Sequence, residues 1–405
     1  MRIALTCNGP GELAGWARPL LRRLYARDPN IEVHLFFVPD DYATGRETEV
    51  ARGLFPTARV YTPKEYLRVA FGRAVADLPA SVDLVQYLGG DLMHAARLHK
   101  RFGGAAATYK FSRPRYREMF VRAFAVDRAN VDELTATRLA PDRIAITGNL
   151  AIDGALLEAQ SPIEEGAPRD GVLIMPGSRR HEVEQLVPFF FTAALRMLAR
   201  DPGLKIAFGL SPFTPLDAVR RAIEAGGHPR FYAQRGRVLV EGERTFLASL
   251  DGATRIPIVR NALSAATVAR LVLTIPGTKA IELAALGKPL IACTPMNAPE
   301  LIAINGVLTY LDRVPLLGIP LKRAAVTAVS RRFRYHTQPN IDANEMIALE
   351  LHGTLTPGRV ADVTLERYAD SPWIERTGIR LRDLYRIHAG ASERMADALL
   401  ELATQ

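Results

Sequence analysis

Residues 271–295 read LVLTIPGTKAIELAALGKPLIACTP. Leu271–Ile275 is a short apolar run with β-branched residues, and Leu290–Cys293 is another. Between them Pro276-Gly277-Thr278 opens an Ala/Leu/Ile-rich segment that Gly287 stops. The order predicts strand, tight turn, helix and strand, one βαβ unit in about 25 residues, the crossover that parallel strands require. The Gly277-Thr278 turn then opens a helix at the carboxyl end of a strand. Backbone N–H groups without helical partners meet the positive end of the helix dipole there, a setting that attracts an anion, most often a phosphate. Glu282 follows one turn into the helix and reaches toward a group beside that phosphate. The stretch predicts a nucleotide diphosphate site.

The same grammar occurs twice more. Gly171–Met175 is apolar, Pro176-Gly177-Ser178-Arg179-Arg180 follows, and a helix is predicted from about His181. Arg179 and Arg180 add fixed positive charge beside that turn. At the start of the chain Ile3–Cys7 is strand-like, and Asn8–Gly15 leads into a helical pattern through Leu20, Leu21 and Leu24. Gly9, Gly11 and Gly15 form G-x-G-x-x-x-G, close to a dinucleotide fingerprint, with acidic residues such as Asp40 some way on. Glycine in such a turn also serves simply to let the chain enter the helix.

Further strand-like runs fall at Glu32–Val38, Val60–Tyr61, Leu84–Leu88, Ala105–Tyr109, Ala123–Val126, Ile144–Thr147, Lys205–Gly209 and Arg237–Glu241. Helical stretches such as Leu92–Phe102 and Val131–Leu139 lie between several of them. The alternation predicts an α/β fold with parallel sheets covered on both faces. Asp91 follows one strand across Gly89-Gly90, at the carboxyl edge where such folds bind ligands, and it is equally suited to cap the next helix. Ser161–Asp170 is polar and proline-containing, a linker between residues 1–160 and a second domain over 171–375. An amphipathic helix, Leu381–Leu402, dominates the closing segment 376–405.

The 405 residues are 48% hydrophobic and 23% charged, the balance of a folded globular chain long enough for two domains. The net charge of +9 favours anionic partners. Cys7 and Cys293 read as buried thiols, which with the absence of a signal-like N-terminus or a membrane-spanning run predicts a cytoplasmic protein. Lys110–Arg122, basic with interleaved aromatics, reads as a solvated face or as a surface for anionic membrane. The apolar, proline-punctuated stretch from about Val307 and the basic cluster up to Arg334 suit a segment lying on a membrane, or a flap packed on its own core.

Taken together, these pieces resemble the lipid-A-disaccharide synthases and their distant relatives, nucleotide-sugar glycosyltransferases of the GT-B type. Met175–Arg179 with Glu182 matches the family's Leu-Pro-Gly-Ser-Arg-x-x-Glu. Pro276–Glu282 stands for Ser-Gly-Thr-Ala-Thr-Leu-Glu, and Gln338-Pro339-Asn340 with Glu350 for Leu-Pro-Asn and a later glutamate. Gly11-Glu12-x-x-Gly15 echoes an N-terminal Gly-Glu-x-Ser-Gly-Asp, with Ala14 and Trp16 departing from it. Asp91 falls on the second aspartate of Asp-Ala-Pro-Asp, with Leu88 replacing the first, and Gly148–Asp153 stands where the family has Gly-His-Pro-Leu-x-Asp.

The resemblance implies two Rossmann-like domains facing a cleft, with a C-terminal helix crossing back to the first. It implies inverting, metal-independent transfer of an N-acetylglucosamine-like sugar from a UDP-sugar to a lipid-linked acceptor, on the inner face of a membrane. Asp91 is then the general base, with Glu12 the second candidate. Gly177, Ser178, Arg179, Gly277 and Thr278 hold the diphosphate, Glu282 the ribose diol, and Asn340 lines the donor pocket, while Gly11 and Gly15 form the acceptor-side loop. The departures at Ala14, Trp16 and Leu88 leave the acceptor open.

Two other activities fit parts of the pattern. A nucleotide-sugar 2-epimerase shares the fold and a Gly-Asn-x-x-x-Asp stretch like Gly148–Asp153. An NAD(P)-dependent oxidoreductase would use Gly9–Gly15 and Asp40, but leaves the paired Pro-Gly loops unexplained. No residues show metal-ligand spacing; His94 and His99 are five apart, not the four of a helical metal pair. No nucleic-acid partner is predicted.

Overall fold

The computed structural model describes residues 1–39, 45–111, 115–301, 318–330 and 332–404. Asp40, residues 112–114 of the basic run, and residues 307–317 and 331 of the later apolar and basic stretch lie outside them. The chain divides into two compact units, Met1–Leu157 with Arg386–Gln405, and Glu158–Tyr385.

The first unit is built on seven parallel strands: β1 Arg2–Cys7, β2 Glu32–Phe37, β3 Arg59–Tyr61, β4 Leu84–Tyr87, β5 Ala105–Tyr109, β6 Arg122–Ala125 and β7 Ile144–Ile146. Their order is β3-β2-β1-β4-β5-β6-β7. Ile3, Ala4, Leu5 and Cys7 are all fully buried although successive side chains point to opposite faces. Such a strand must be apolar without alternation because helices cover both faces. The chain moves outward from β1 to β3 and then returns to add β4 on the other side of β1. The loops leaving β1 and β4 therefore flank the topological switch point, where an open α/β sheet has its ligand crevice.

The second unit has eight strands: β8 Val172–Ile174, β9 Ile206–Gly209, β10 Arg237–Glu241, β11 Arg244–Ala248, β12 Arg255–Val259, β13 Leu271–Thr274, β14 Leu290–Pro295 and β15 Leu349–Gly353. The order is β10-β11-β12-β9-β8-β13-β14-β15, antiparallel among β10, β11 and β12 and parallel elsewhere. Its switch point lies between β8 and β13, so the two Pro-Gly loops emerge there. Helix Arg180–Arg200 covers one face through Phe189, Phe190 and Phe191, each fully buried and each contributing about 1.5–3 kcal/mol of hydrophobic stabilisation.

Three strands escaped the sequence reading. β11 follows β10 after a two-residue turn in which Gly242 takes φ +60°, β12 contains Pro257, and β15 is the polar edge run LELHG. Proline lacks the N–H of a central strand, and a short charged run carries no clear period.

The stretch 161–170, expected as a linker, is tied to the second unit by hydrogen bonds. The Glu164 carboxylate accepts from the N–H groups of Arg260 and Asn261 at the start of helix Ala262–Val268, and the Ser161 carbonyl accepts from Ser264 Oγ at 2.7 Å. The closing helix is instead two helices, Ser371–Arg386 and Ala391–Ala403, broken before Gly390 at φ +78°. The second of them does return to the N-terminal unit, where Met395, Ala396 and Leu399 are fully buried.

Candidate functional site

In the second unit the two Pro-Gly loops are bound to one another. β8 and β13 pair in parallel, Leu273 with Ile174. Just beyond, Met175 N donates to the Leu273 carbonyl at 2.8 Å and Thr274 Oγ1 to the Met175 carbonyl at 3.1 Å. Gly177 takes φ +97°, and a Cβ there would stand 2.7 Å from Ile275 Cδ1 and 2.3 Å from Glu182 Oε2. Only glycine permits that backbone and that approach.

The loops differ in what their helix ends hold. In the first, Glu182 Oε2 accepts from Ser178 N at 2.9 Å and Arg179 N at 3.0 Å, so a carboxylate of the same helix fills the anion seat. The expectation of vacant N–H groups at Ser178 and Arg179 is corrected on that point; the Arg179 side chain remains half exposed, 3.8 Å from Glu182. In the second, helix Thr278–Ala285 carries no side-chain cap, Gly277 takes φ +155°, and the space where its Cβ would go is open.

Glu282 is a buried carboxylate. It is 5% exposed, and Oε2 accepts from Lys279 Nζ at 2.5 Å. Burial pushes the Glu282 carboxyl up, with the Lys279 charge opposing. Burial works against the Lys279 ammonium, but the charges of Glu282 and Glu158 together outweigh it and the pKa is raised. Lys279 was missed in the sequence, although Lys-x-x-Glu at i, i+3 is a recognisable helical pair.

Asn340, expected to line the donor pocket, is instead a buried clamp. It has no exposed surface, and Nδ2 donates to the Ala348 carbonyl (2.8 Å) and Glu350 Oε1 (2.7 Å). Its Oδ1 accepts from Ile347 N (2.8 Å) and Ala348 N (2.9 Å). These four bonds use the full capacity of the amide. Glu350 also accepts from His336 N, Thr337 N and Thr337 Oγ1, closing the start of helix Gln338–Ala343.

In the first unit the loops after β1 and β4 come together. A Cβ on Gly89 would fall 2.1 Å from Asn8 Oδ1 and 3.1 Å from Glu12 Cγ, so both side chains lean on the bare backbone at the end of β4. Asp91 is exposed there and caps helix Leu92–Phe102, Oδ1 accepting from Met93 N at 2.8 Å. Helix entry runs through Pro10–Glu12 and then a single turn of π-helix, Leu13–Ala17, a distortion frequent at functional sites and not foreseen from the sequence. Gly11 faces open space. Gly15 is a packing residue: a Cβ on Gly154 would come within 2.8 Å of Gly15 Cα.

The Gly148–Asp153 stretch also proves structural. A Cβ on Gly148, at φ +98°, would lie 2.5 Å from the His388 carbonyl. Asp153 accepts from Gly390 N at 2.8 Å and from Ser392 N and Oγ at 2.6 Å each, capping the returning helix. His94 is buried with Nδ1 2.7 Å from Tyr66 OH. Among the described residues no group of three His, Cys, Asp or Glu side chains is placed to hold a metal ion, and no helix is long and apolar enough to cross a membrane.

Against known proteins, the chain is 32% identical over 126 residues to lipid-A-disaccharide synthase of Ruegeria pomeroyi, 31% of this chain and 27% of that one. It is 28% identical over 218 residues to the lipid-A-disaccharide synthase of Paraburkholderia phymatum, 52% of this chain and 43% of that one. The similarity to lipid-A-disaccharide synthases covers part of the chain at 27–32% identity. The match spans less than half the length of these relatives. No protein-family model matches.

Solved structures share the fold over nearly the whole chain at low identity. The S. aureus MnaA–UDP co-structure superposes with a TM-score of 0.59 at 15% identity, covering 100% of this chain and 98% of that one. UDP-GlcNAc 2-epimerase from Neisseria meningitidis, bound to UDP-GlcNAc, gives 0.56 at 13%, covering 99% and 100%. CalG4, the calicheamicin glycosyltransferase, gives 0.52 at 14%, covering 100% and 99%. Two Rossmann-like bodies of the GT-B class are thus the fold of this protein.

Proposed function

We propose that this protein is an inverting glycosyltransferase that moves an N-acetylglucosamine-like sugar from a UDP-sugar to a lipid-linked acceptor, without a metal ion. The observation that carries the reading is the pair of glycine loops at the switch point between β8 and β13, joined by the Met175 and Thr274 hydrogen bonds. It is supported by the likeness to lipid-A-disaccharide synthases and by the shared fold of structures that hold UDP or UDP-GlcNAc.

In this reaction Asp91 takes the proton of the acceptor hydroxyl, with Glu12 as the second candidate. The acceptor oxygen bonds to the anomeric carbon as the bond from that carbon to the diphosphate oxygen breaks, so the configuration inverts. Negative charge grows on the departing UDP, and the dipole of helix Thr278–Ala285, the backbone at Gly277 and the Arg179 guanidinium stabilise it. Gly177 and Ser178 set the neighbouring loop against that seat, and Glu282 receives the ribose diol. Asn340 acts only by holding the chain before β15.

The protein acts in the cytoplasm, resting on the inner face of the membrane through the basic and apolar segments around Lys110–Arg122 and Val307–Arg334. Phe333, 58% exposed between exposed Arg332 and Arg334, supports that contact. Co-sedimentation with anionic, but not neutral, vesicles tests it.

The decisive assay incubates the protein with UDP-N-acetylglucosamine, with and without lipid-linked acceptors. UDP release that requires an acceptor and withstands chelator is expected, with Asp91→Asn lowering turnover at least 100-fold, about 2.7 kcal/mol of barrier, while UDP affinity stays within threefold. Reversible epimerisation of the donor without any acceptor refutes the transferase reading.

A further inference from the structure

The two loops of the second unit carry one phrase. Pro176-Gly177-Ser178-Arg179-x-x-Glu182 and Pro276-Gly277-Thr278-Lys279-x-x-Glu282 have the same residue classes at the same spacing, on neighbouring parallel strands. In each, the cation pairs with the carboxylate three residues on: Arg179 Nη1 lies 3.8 Å from Glu182, Lys279 Nζ 2.5 Å from Glu282. The carboxylates then part company. Glu182 turns back onto the N–H groups of Ser178 and Arg179 and occupies its own helix end. Glu282 takes the Lys279 ammonium, and the end of its helix has no side-chain cap and open space at Gly277. Among the described residues, an anion reaching the paired loops finds one helix end capped by its own carboxylate and one without a side-chain cap, and the uncapped one has Lys279 in its first turn.

We propose that Lys279 is a specificity-determining residue that binds a phosphate oxygen of a nucleoside diphosphate at this helix end, with Arg179 as the second cation from the neighbouring loop. The inference rests on the nucleotide-sugar reading and deepens it. An ammonium has three N–H donors, and one is committed to Glu282 Oε2. The Lys279 side chain is 40% exposed and that of Glu282 6%, so the pair meets a ligand ammonium first, carboxylate behind. Lys279 also opposes the protonation that burial favours at the Glu282 carboxyl. The pair thus offers donors to a phosphate and, beside them, an acceptor to a ribose hydroxyl. A diphosphate with an unmodified ribose satisfies both; a bare nucleoside satisfies the acceptor alone.

The rival account is that Lys279 only neutralises Glu282. The ratio of UDP to uridine affinity separates the two, because any loss at the ribose affects both ligands and cancels. Isothermal titration calorimetry on the wild type should give UDP at least 30-fold tighter than uridine. In Lys279→Met/Glu282→Gln, which removes both charges together, the ratio should fall at least tenfold, and in Lys279→Arg it should stay within threefold. Lys279→Gln is the second route to the same tenfold fall should the double variant melt too low to titrate. A ratio unchanged in the charge-free variants overturns the proposal. A wild type that binds neither UDP nor uridine overturns the nucleotide-sugar reading itself.

Discussion

Replacing Asp153 by alanine should release the start of the returning helix Ala391–Ala403 while leaving the rest of it docked. The carboxylate accepts three hydrogen bonds, from Gly390 N, Ser392 N and Ser392 Oγ, at 2.6–2.8 Å. Ser392 is 4% exposed, so water replaces the lost acceptor poorly. Loss of a helix N-cap costs about 1–2 kcal/mol, and hydrogen bonds to a charged group about 1.5–3 kcal/mol each. The three bonds act as one unit and are not additive, which puts the local cost at about 2–4 kcal/mol. At about 1.4 kcal/mol per decade, opening of the first turn rises roughly 30- to 700-fold.

The salt links of Arg27 to Glu393 and Asp397 do not compensate, because all three side chains are about half exposed, where such pairs contribute little. Burial of Met395, Ala396 and Leu399 is untouched. Hydrogen–deuterium exchange read by fragment should therefore show loss of protection concentrated at Ser392–Met395 and fading toward Leu399. Exchange at Ser392–Met395 within threefold of the wild type refutes the anchoring argument.

Asn340→Ala should lower the stability of the second unit by about 2–4 kcal/mol, since it orphans buried N–H and C=O groups; chemical denaturation followed in that unit checks it, and a loss below 0.5 kcal/mol, on the order of an ordinary surface substitution, contradicts the clamp. Glu300 receives Arg230 at 2.8 Å and a fork from Arg323 at 2.8 and 3.1 Å. Burial pushes its carboxyl up, but these guanidinium contacts and a backbone hydrogen bond outweigh that and hold it at about 2. A depressed carboxylate pKa stabilises the fold above the unfolded value, near 4.5, and that stability is lost as pH falls toward 2. Glu300→Gln should then cost about 3 kcal/mol at neutral pH and less than half of that at about pH 3, read as a gap in melting temperature that narrows below about pH 5; a gap independent of pH contradicts it. Gly154→Ala, whose Cβ would press to 2.8 Å on Gly15 Cα, should destabilise the first unit by about 1–3 kcal/mol in thermal unfolding.

Short-range chemistry was legible in the chain. Helix Leu92–Phe102 begins and ends where Asp91 and Gly103 say it must, because cap and stop signals act within a turn. The strand–glycine–helix units at Cys7, Met175 and Ile275 were readable for the same reason, and with them the α/β class and the paired Pro-Gly loops. Tertiary structure decided burial and which partners lie in reach. The Glu182 cap and the Lys279–Glu282 pair are local, three to four residues apart, but nothing local tells that Glu282 is buried behind Lys279 or that the amide of Asn340 spends itself on Ile347, Ala348 and Glu350. An N–H group and a carboxylate satisfy one another equally well with any partner in reach, and reach is set by the order of strands in a sheet. The loops of residues 176–179 and 275–278 are adjacent because β13 returns to lie beside β8, a pairing across about 100 residues that no local pattern specifies.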